Sequence, residues 1–189
     1  MRIMVADIDP FAQDTDIALR IYDDKAHAPY FQNRKDIRCS KWQNFNLAKP
    51  LNKREAEKHI ENVPLPTDYI SISTSPKRSW NWYIRANDNA QKNIAVIEIR
   101  ILRRLGIAYG SSTQDLGFKH LNKVHGTGTL FATKHHYLVL GWIPSRSILG
   151  ILSSAQFEGL FQESDISTDP EGCSKSTPPL IHLTSDSLN

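Results

Sequence analysis

The chain has 189 residues, 40% of them hydrophobic and 23% charged, with a formal net charge of +3. That size supports one ordinary domain with its own core, needing neither disulfides nor a structural metal. The charge falls well short of the concentrated basicity of a dedicated DNA-binding protein, and no apolar run approaches the roughly 18 residues of a membrane span. Met1 to Pro10 turns acidic after a few apolar positions, too short for the apolar core of about 7 to 15 residues in a secretory leader, so an intracellular and most simply cytoplasmic location is expected. Cys39 and Cys173 stand far apart and read as free thiols rather than a disulfide framework.

In chain order, residues 1–16 read as a loose acidic lead-in. Ile17 to Tyr22 is a short β-prone run stopped by Asp23 and Asp24, with Arg20 the odd residue in an apolar strand. Residues 25–50 show no clear period and read as a long, partly packed loop. From Asn52 to Glu61 the pattern suits a helix, with Asn52 as N-cap, Glu55 three residues on, Ala56 and Ile60 on one face, and solvated charge on the others. Pro64 and Pro66 end it. A strand over residues 68–74 follows, and Pro76 opens a helix over 76–87 in which Trp80, Tyr83 and Ile84 recur at helical spacing.

Asn93 to Ile101 alternates as a strand, with Ala95, Ile97, Ile99 and Ile101 on one face. Gln114 to Val124 reads as a short helix and His125 to Thr129 as a glycine loop. His136 to Ile143 is a buried strand, and Pro144 turns the chain toward Ser147 to Leu152. Residues 17–161 form the expected domain. Residues 162–189 are mostly polar and read as a disordered tail in which Leu180, Ile181 and Leu183 make a weak docking element.

Three elements carry the chemistry: Ala18-Leu19-Arg20-Ile21-Tyr22-Asp23, then Tyr69-Ile70-Ser71-Ile72-Ser73 with Ser79 and Trp82 in the following helix, then Tyr137-Leu138-Val139-Leu140-Gly141-Trp142-Ile143-Pro144. Their order resembles the arginine, Ser-x-Ser, glutamate class of ADP-ribosyltransferases, by way of a fungal domain family associated with that fold, and the resemblance spans residues 17–152. It implies an α+β fold, an ADP-ribosyltransferase-like split β-sandwich of two small sheets with flanking helices. It also implies a mono-ADP-ribosyltransferase-like protein, effector or toxin-like, that binds NAD as substrate through Arg20, Ser71, Ser73 and Trp82.

The residue chemistry stands beside that resemblance. Arg20 presents a planar fork suited to a pyrophosphate, or else pairs with Asp23, Asp24 or another acid. Ser71 and Ser73 alternate to one face of their strand; the resemblance gives Ser71 to the arginine and the nicotinamide-ribose pocket and Ser73 to the turn. The alternative is a polar edge with Ser75 as helix cap. The resemblance calls for a glutamate just before Tyr137, where a carboxylate stabilises the oxocarbenium-like transition state of glycosidic cleavage. This chain has Lys134-His135-His136 there. His136 can act as a base near neutral pH, and it and Ser71 are the candidate catalytic residues, but it supplies no negative charge, unless Glu98 or Glu158 brings a carboxylate from elsewhere.

Adjacent histidines on a strand point to opposite faces, and His27, His59, His120, His125 and His182 lack metal spacing, so no metal is expected. A second reading is a catalytically inactive module that uses the same fold to contact protein or nucleic acid, with Lys77, Arg78 and Arg85 interleaved among Trp80, Trp82 and Tyr83.

Overall fold

The computed structural model describes residues 3–4, 17–23, 26, 28–46, 48–61, 65–79, 92–119, 121–125, 128–165 and 182–183. Its strands in chain order are β1 (Ile3–Met4), β2 (Ile17–Tyr22), β3 (Tyr30–Phe31), β4 (Asp36–Arg38), β5 (Tyr69–Ser73), β6 (Asn93–Glu98), β7 (Tyr109–Ser111), β8 (Leu121–His125), β9 (Gly128–Ala132), β10 (His136–Leu140), β11 (Trp142–Ile143), β12 (Ile148–Ser153) and β13 (His182–Leu183). The helices are α1 (Lys53–Ile60), α2 (Ile99–Arg104) and α3 (Ser154–Asp165).

A six-stranded antiparallel sheet in the order β12-β6-β2-β5-β10-β7 forms the centre, and a three-stranded antiparallel sheet, β11-β4-β3, packs on one of its faces. Side chains alternate along each strand, so register decides which residues meet. On the face toward the smaller sheet, Ala18, Tyr22, Ile70, Ile72, Ala95, Ile97 and Val139 join Ile37, Cys39 and Ile143 of the smaller sheet and its approaches, with Ile99 and Leu102 of α2, in one buried cluster. The opposite face divides. Leu19, Ile94, Val96 and Leu152 pack under Phe157 of α3, while Tyr69, Leu138 and Leu140 pack under Ala56 and Ile60 of α1. The architecture is therefore α+β with antiparallel sheets, and the central sheet is larger than the two small sheets expected.

Several local expectations hold. β2 and β5 fall where the sequence places them, and α1 is capped by Asn52, whose Oδ1 accepts from Glu55 N at 3.2 Å. Other expectations need correction. Residues 25–50 are not a structureless loop but contribute β3 and β4, closed by the tight connection at residues 32–35 in which Lys35 takes a positive φ of 52°. The strand expected over 93–101 stops at Glu98, because Ile99 and Leu102 also fit helical spacing and α2 buries both, with Arg103 and Arg104 in its last turn, where cations suit the helix dipole. The helix expected over 114–124 is instead a turn followed by β8. Asp115 Oδ2 accepts from Ser111 N at 2.6 Å to close that turn, Gly117 continues at φ +64°, and β8 pairs with β9.

The strand expected over 136–143 breaks at Gly141, φ +76°, which hands the chain from the large sheet to the small one. At the ends, α3 continues to Asp165, and β1 pairs with β13 through Ile3–Leu183 and Met4–His182. The helix opened by Pro76 is described over 76–79. Trp80, Trp82, Tyr83 and Arg85 lie outside the described residues, so the binding role expected of Trp82 does too.

Candidate functional site

The divided face of the large sheet leaves a polar strip between its two apolar clusters. β2 pairs with β6 at six successive positions, and β5 pairs with β10 at five. Between β2 and β5 the register holds at a single pair, Leu19 with Ser73. The two strands therefore part along a seam, and backbone groups that a full ladder would satisfy need other partners there.

Arg20 supplies some of them. Its Nη1 donates to the Ser71 carbonyl at 2.8 Å and its Nη2 to the Ala28 carbonyl at 3.4 Å. Nε is buried with no hydrogen-bond partner among the described residues. Burial pushes the guanidinium down to about 10, with the negative charge of Asp23 working in the other direction, so it remains a cation at neutral pH. Arg20 shares its face with Ala18 and Tyr22, toward the smaller sheet, whereas Ser71 and Ser73 share the face of Leu19. The expected contact between Arg20 and Ser71 therefore exists, but through the serine carbonyl, and the two side chains leave the seam on opposite faces.

The Ser71 hydroxyl is the centre of the polar strip. Its Oγ lies 2.9 Å from His59 Nε2 and 3.0 Å from His136 Nε2. His59 comes from α1, where Ala56 and Ile60 anchor the helix on the sheet and turn the intervening residue toward β5. Its other ring nitrogen, Nδ1, lies 2.7 Å from Thr67 Oγ1, and Thr67 is itself fixed by backbone exchange with Ser40, through N to Ser40 Oγ at 2.8 Å and Ser40 Oγ to Thr67 O at 3.1 Å. His136 is 6% exposed and opens β10 directly opposite Ser73. Ser71, Ser73 and His59 are only partly buried, so the strip is reachable from solvent.

One hydroxyl proton cannot serve two acceptors, so at least one of the two Nε2 atoms carries a hydrogen and donates to Ser71 Oγ. Two neutral arrangements satisfy all three contacts. In one, Ser71 donates to His59, His59 Nδ1 donates to Thr67 and His136 donates to Ser71; in the other, every direction reverses. One added proton also fits without breaking the chain, since a doubly protonated His59 donates to both Thr67 and Ser71 while Ser71 donates to His136. The arrangement is a proton-sharing chain, Thr67–His59–Ser71–His136.

Ser73 plays the turn role expected of it: its Oγ accepts from Ser75 N at 3.2 Å and donates to Ser75 O at 3.3 Å. Ser75 caps the helix at 76–79, with Oγ accepting from Arg78 N at 3.2 Å, so the cap half of the alternative is present, whereas β5 is no edge strand, since it pairs with β2 on one side and β10 on the other. Beyond Ser73 the cations Lys134 and Arg78 flank His135. His135 Nδ1 lies 3.4 Å from Thr74 Oγ1, and burial, Lys134 and Arg78 together push its imidazole below the ordinary range. Burial lowers the Arg78 guanidinium to about 10. Of the carboxylates proposed as substitutes, Glu98 is engaged by Arg100, at 3.2 Å from Nε and 3.0 Å from Nη2, and Glu158 lies on α3.

Among the described residues, no group of three or more His, Cys, Asp or Glu side chains is arranged to hold a metal ion. No helix among them is long and apolar enough to cross a membrane. The residue that sequence reasoning passed over is His59. Its signal was the spacing Ala56-x-x-His59-Ile60, which sets an imidazole on the flank of a buried helical face immediately before a serine-bearing strand.

No curated protein and no solved structure matches the chain. A family model described as "Domain of unknown function (DUF7587)" matches residues 13–157, a span that holds β2, α1, β5 and β10 and so every residue of the proton-sharing chain, and this chain belongs to that family.

Proposed function

We propose that this chain is a mono-ADP-ribosyltransferase-like protein of split β-sandwich type that binds NAD, or another ligand with an ADP-ribosyl group, in the seam between β2 and β5. The observation that carries this reading is the single-pair register between those strands, Leu19 with Ser73, beside the full ladders on either side. A sheet that opens in its middle offers a slot with backbone donors and hydroxyls in its walls, the combination of apolar walls and a few convergent polar groups that small-molecule sites use.

In this reading Ser71, Ser73 and His136 line the ribose end, and the rim cations Arg78 and Lys134 take the diphosphate. Arg20 acts from behind the sheet: it fixes the parted edge of β5 and leaves a guanidinium nitrogen in reserve. ADP-ribose transfer or NAD hydrolysis is slow, because the partners of Ser71 are imidazoles and the glycosidic transition state is served best by a carboxylate. Calorimetric titration of the folded protein with NAD and with ADP-ribose tests the reading. Binding with a Kd near or below about 1 mM, an affinity of roughly −4 kcal/mol, is expected, and no heat from either ligand sets it aside.

The commitment of two Arg20 nitrogens to backbone carbonyls favours a second reading, a catalytically inactive module of the same fold that contacts protein or nucleic acid. Salt-dependent retention of single-stranded nucleic acid without any response to NAD supports that alternative.

A further inference from the structure

We infer that Ser71 is a serine nucleophile, with His59 as its general base, and that the strip accepts short acyl esters. The geometry has the parts a hydroxyl nucleophile needs. Ser71 Oγ is 2.9 Å from His59 Nε2, inside the range over which an imidazole takes a hydroxyl proton. The base is oriented in turn by a third group, since Nδ1 lies 2.7 Å from Thr67 Oγ1 and Thr67 is held on both sides of its peptide by Ser40. In the arrangement where Nδ1 donates to Thr67, Nε2 is the acceptor that points at Ser71.

The second imidazole favours the same direction of proton flow. With His136 Nε2 donating to Ser71 Oγ at 3.0 Å, the hydroxyl hydrogen is directed to His59, and negative charge developing on Oγ is met by a hydrogen-bond donor. His136 is thus a positioning residue that also touches the reacting oxygen. Ser71 is partly exposed, and Leu19 lies on the same sheet face across the seam, which suits a small acyl group beside the hydroxyl.

The step balances without a further reagent. Ser71 Oγ forms a bond to the acyl carbon while the bond from that carbon to the ester's alkoxy oxygen breaks. The proton passes from Oγ to His59 Nε2 and then to the departing alkoxide. Water next gives a proton to His59 Nε2 and its oxygen to the acyl carbon; the bond from that carbon to Ser71 Oγ breaks, Oγ takes the proton back from His59, and the acid leaves with Ser71 restored. Nothing in this sequence requires a nucleotide, so a protein that ignores NAD can still form the adduct.

The test treats the full-length protein with a fluorophosphonate probe and maps the modified peptide by mass spectrometry, with p-nitrophenyl acetate as an ester in parallel. A single phosphonate on Ser71 is expected, absent from Ser71→Ala, with a labelling rate that rises with pH as the imidazole loses its proton. His59→Gln, verified as folded by circular dichroism, is expected to slow labelling by about a hundredfold or more, the contribution of a general base. Should His59→Gln fail to fold, Thr67→Val removes only the orienting contact and is expected to slow labelling at least about tenfold. A folded wild-type protein without an adduct, an adduct elsewhere that survives Ser71→Ala, or a folded base variant labelled at the wild-type rate each overturns the inference.

Discussion

Gly141 joins the strand that carries His136 to the smaller sheet, and Gly141→Ala makes a quantitative test of how tightly that junction is built. The residue sits at φ +76°, and an added Cβ would overlap Cε1 and Cζ of Phe45 and lie 2.7 Å from its Cδ1. The ring cannot swing away without loss, because it stacks on Trp42 at a centroid distance of 5.8 Å and an interplanar angle of 17°. The backbone is held too: Gly141 N donates to Asp68 O at 2.7 Å and Gly141 O accepts from Cys39 N at 2.8 Å.

Left-handed backbone costs an alanine about 1–2 kcal/mol, and forced overpacking about 1–3 kcal/mol more. Together they predict a loss of roughly 2–5 kcal/mol, which for a domain of this size lowers Tm by about 4–20 °C. Gly106→Ala is the matched control, since Gly106 has φ +66° but nothing within 4 Å of an added Cβ, so it reports the backbone part alone. Urea unfolding of the two variants side by side is the assay. Equal losses in both, to within about 0.5 kcal/mol, would refute the steric reasoning about Phe45.

Asp36→Ala should cost about 3 kcal/mol in the same assay, because Asp36 is 4% exposed and its Oδ2 accepts from Arg38 Nε, Arg38 Nη2 and Trp142 Nε1 at 3.0, 2.8 and 3.2 Å, tying β4 to β11. Asn52→Ala should cost about 1 kcal/mol through loss of the α1 cap, with the helix frayed at its first turn in hydrogen exchange. Burial pushes the Cys39 thiol up to about 11 from an ordinary 9.0. Between those values the unfolded chain has lost the proton while the native state keeps it, so stability falls as pH rises across that window. The fall should be up to about 2–3 kcal/mol and absent from Cys39→Ala, and the difference between the two proteins cancels other groups that titrate nearby.

How legible the fold was depends on the range of the interaction that decides each element. β2, β5 and α1 were readable because a β-branched run, paired prolines and an Asn-x-x-Glu cap are local signals. The run after Glu98 was not, because Ile99 with Ile101 continues the strand alternation while Ile99 with Leu102 fits a helix, and burial of Ile99 and Leu102 in the cluster around Ile97 chooses between them. β3 and β4 were missed for a related reason: two- and three-residue strands gain their place from Trp142 and Ile143, over a hundred residues away, not from propensity. In the site, the shared face of Ser71 and Ser73 follows from strand alternation, and the pairing of β5 with β10 adds His136 to it. His59 was hidden because helical spacing tells which way an imidazole points but not which strand lies beneath it, and the strand pairing alone brings Ser71 under it.

His136→Glu tests both chemical readings of the strip in one variant, because each predicts its own change of rate in its own assay. A carboxylate at the head of β10 sits opposite Ser73 and within reach of Ser71, where the His136 imidazole now stands. If a nicotinamide ribose occupies the seam, the new negative charge stabilises the oxocarbenium-like transition state, and NAD hydrolysis should rise by about a hundredfold, the scale of one well-placed electrostatic group. If Ser71 is an acyl-transfer nucleophile, the same change replaces a donor to Oγ with an acceptor. The hydroxyl proton then has a carboxylate as well as His59 to choose from, and the charge opposes the anion that forms during attack, so fluorophosphonate labelling should fall by about tenfold or more. Unchanged NAD hydrolysis removes the correspondence of β10 with the glutamate-bearing strand, and undiminished labelling removes His136 from the support of Ser71. Both rates are measured on one folded protein, so a gain in hydrolysis with a loss of labelling would assign the strip to both chemistries, with Ser71 as their shared atom.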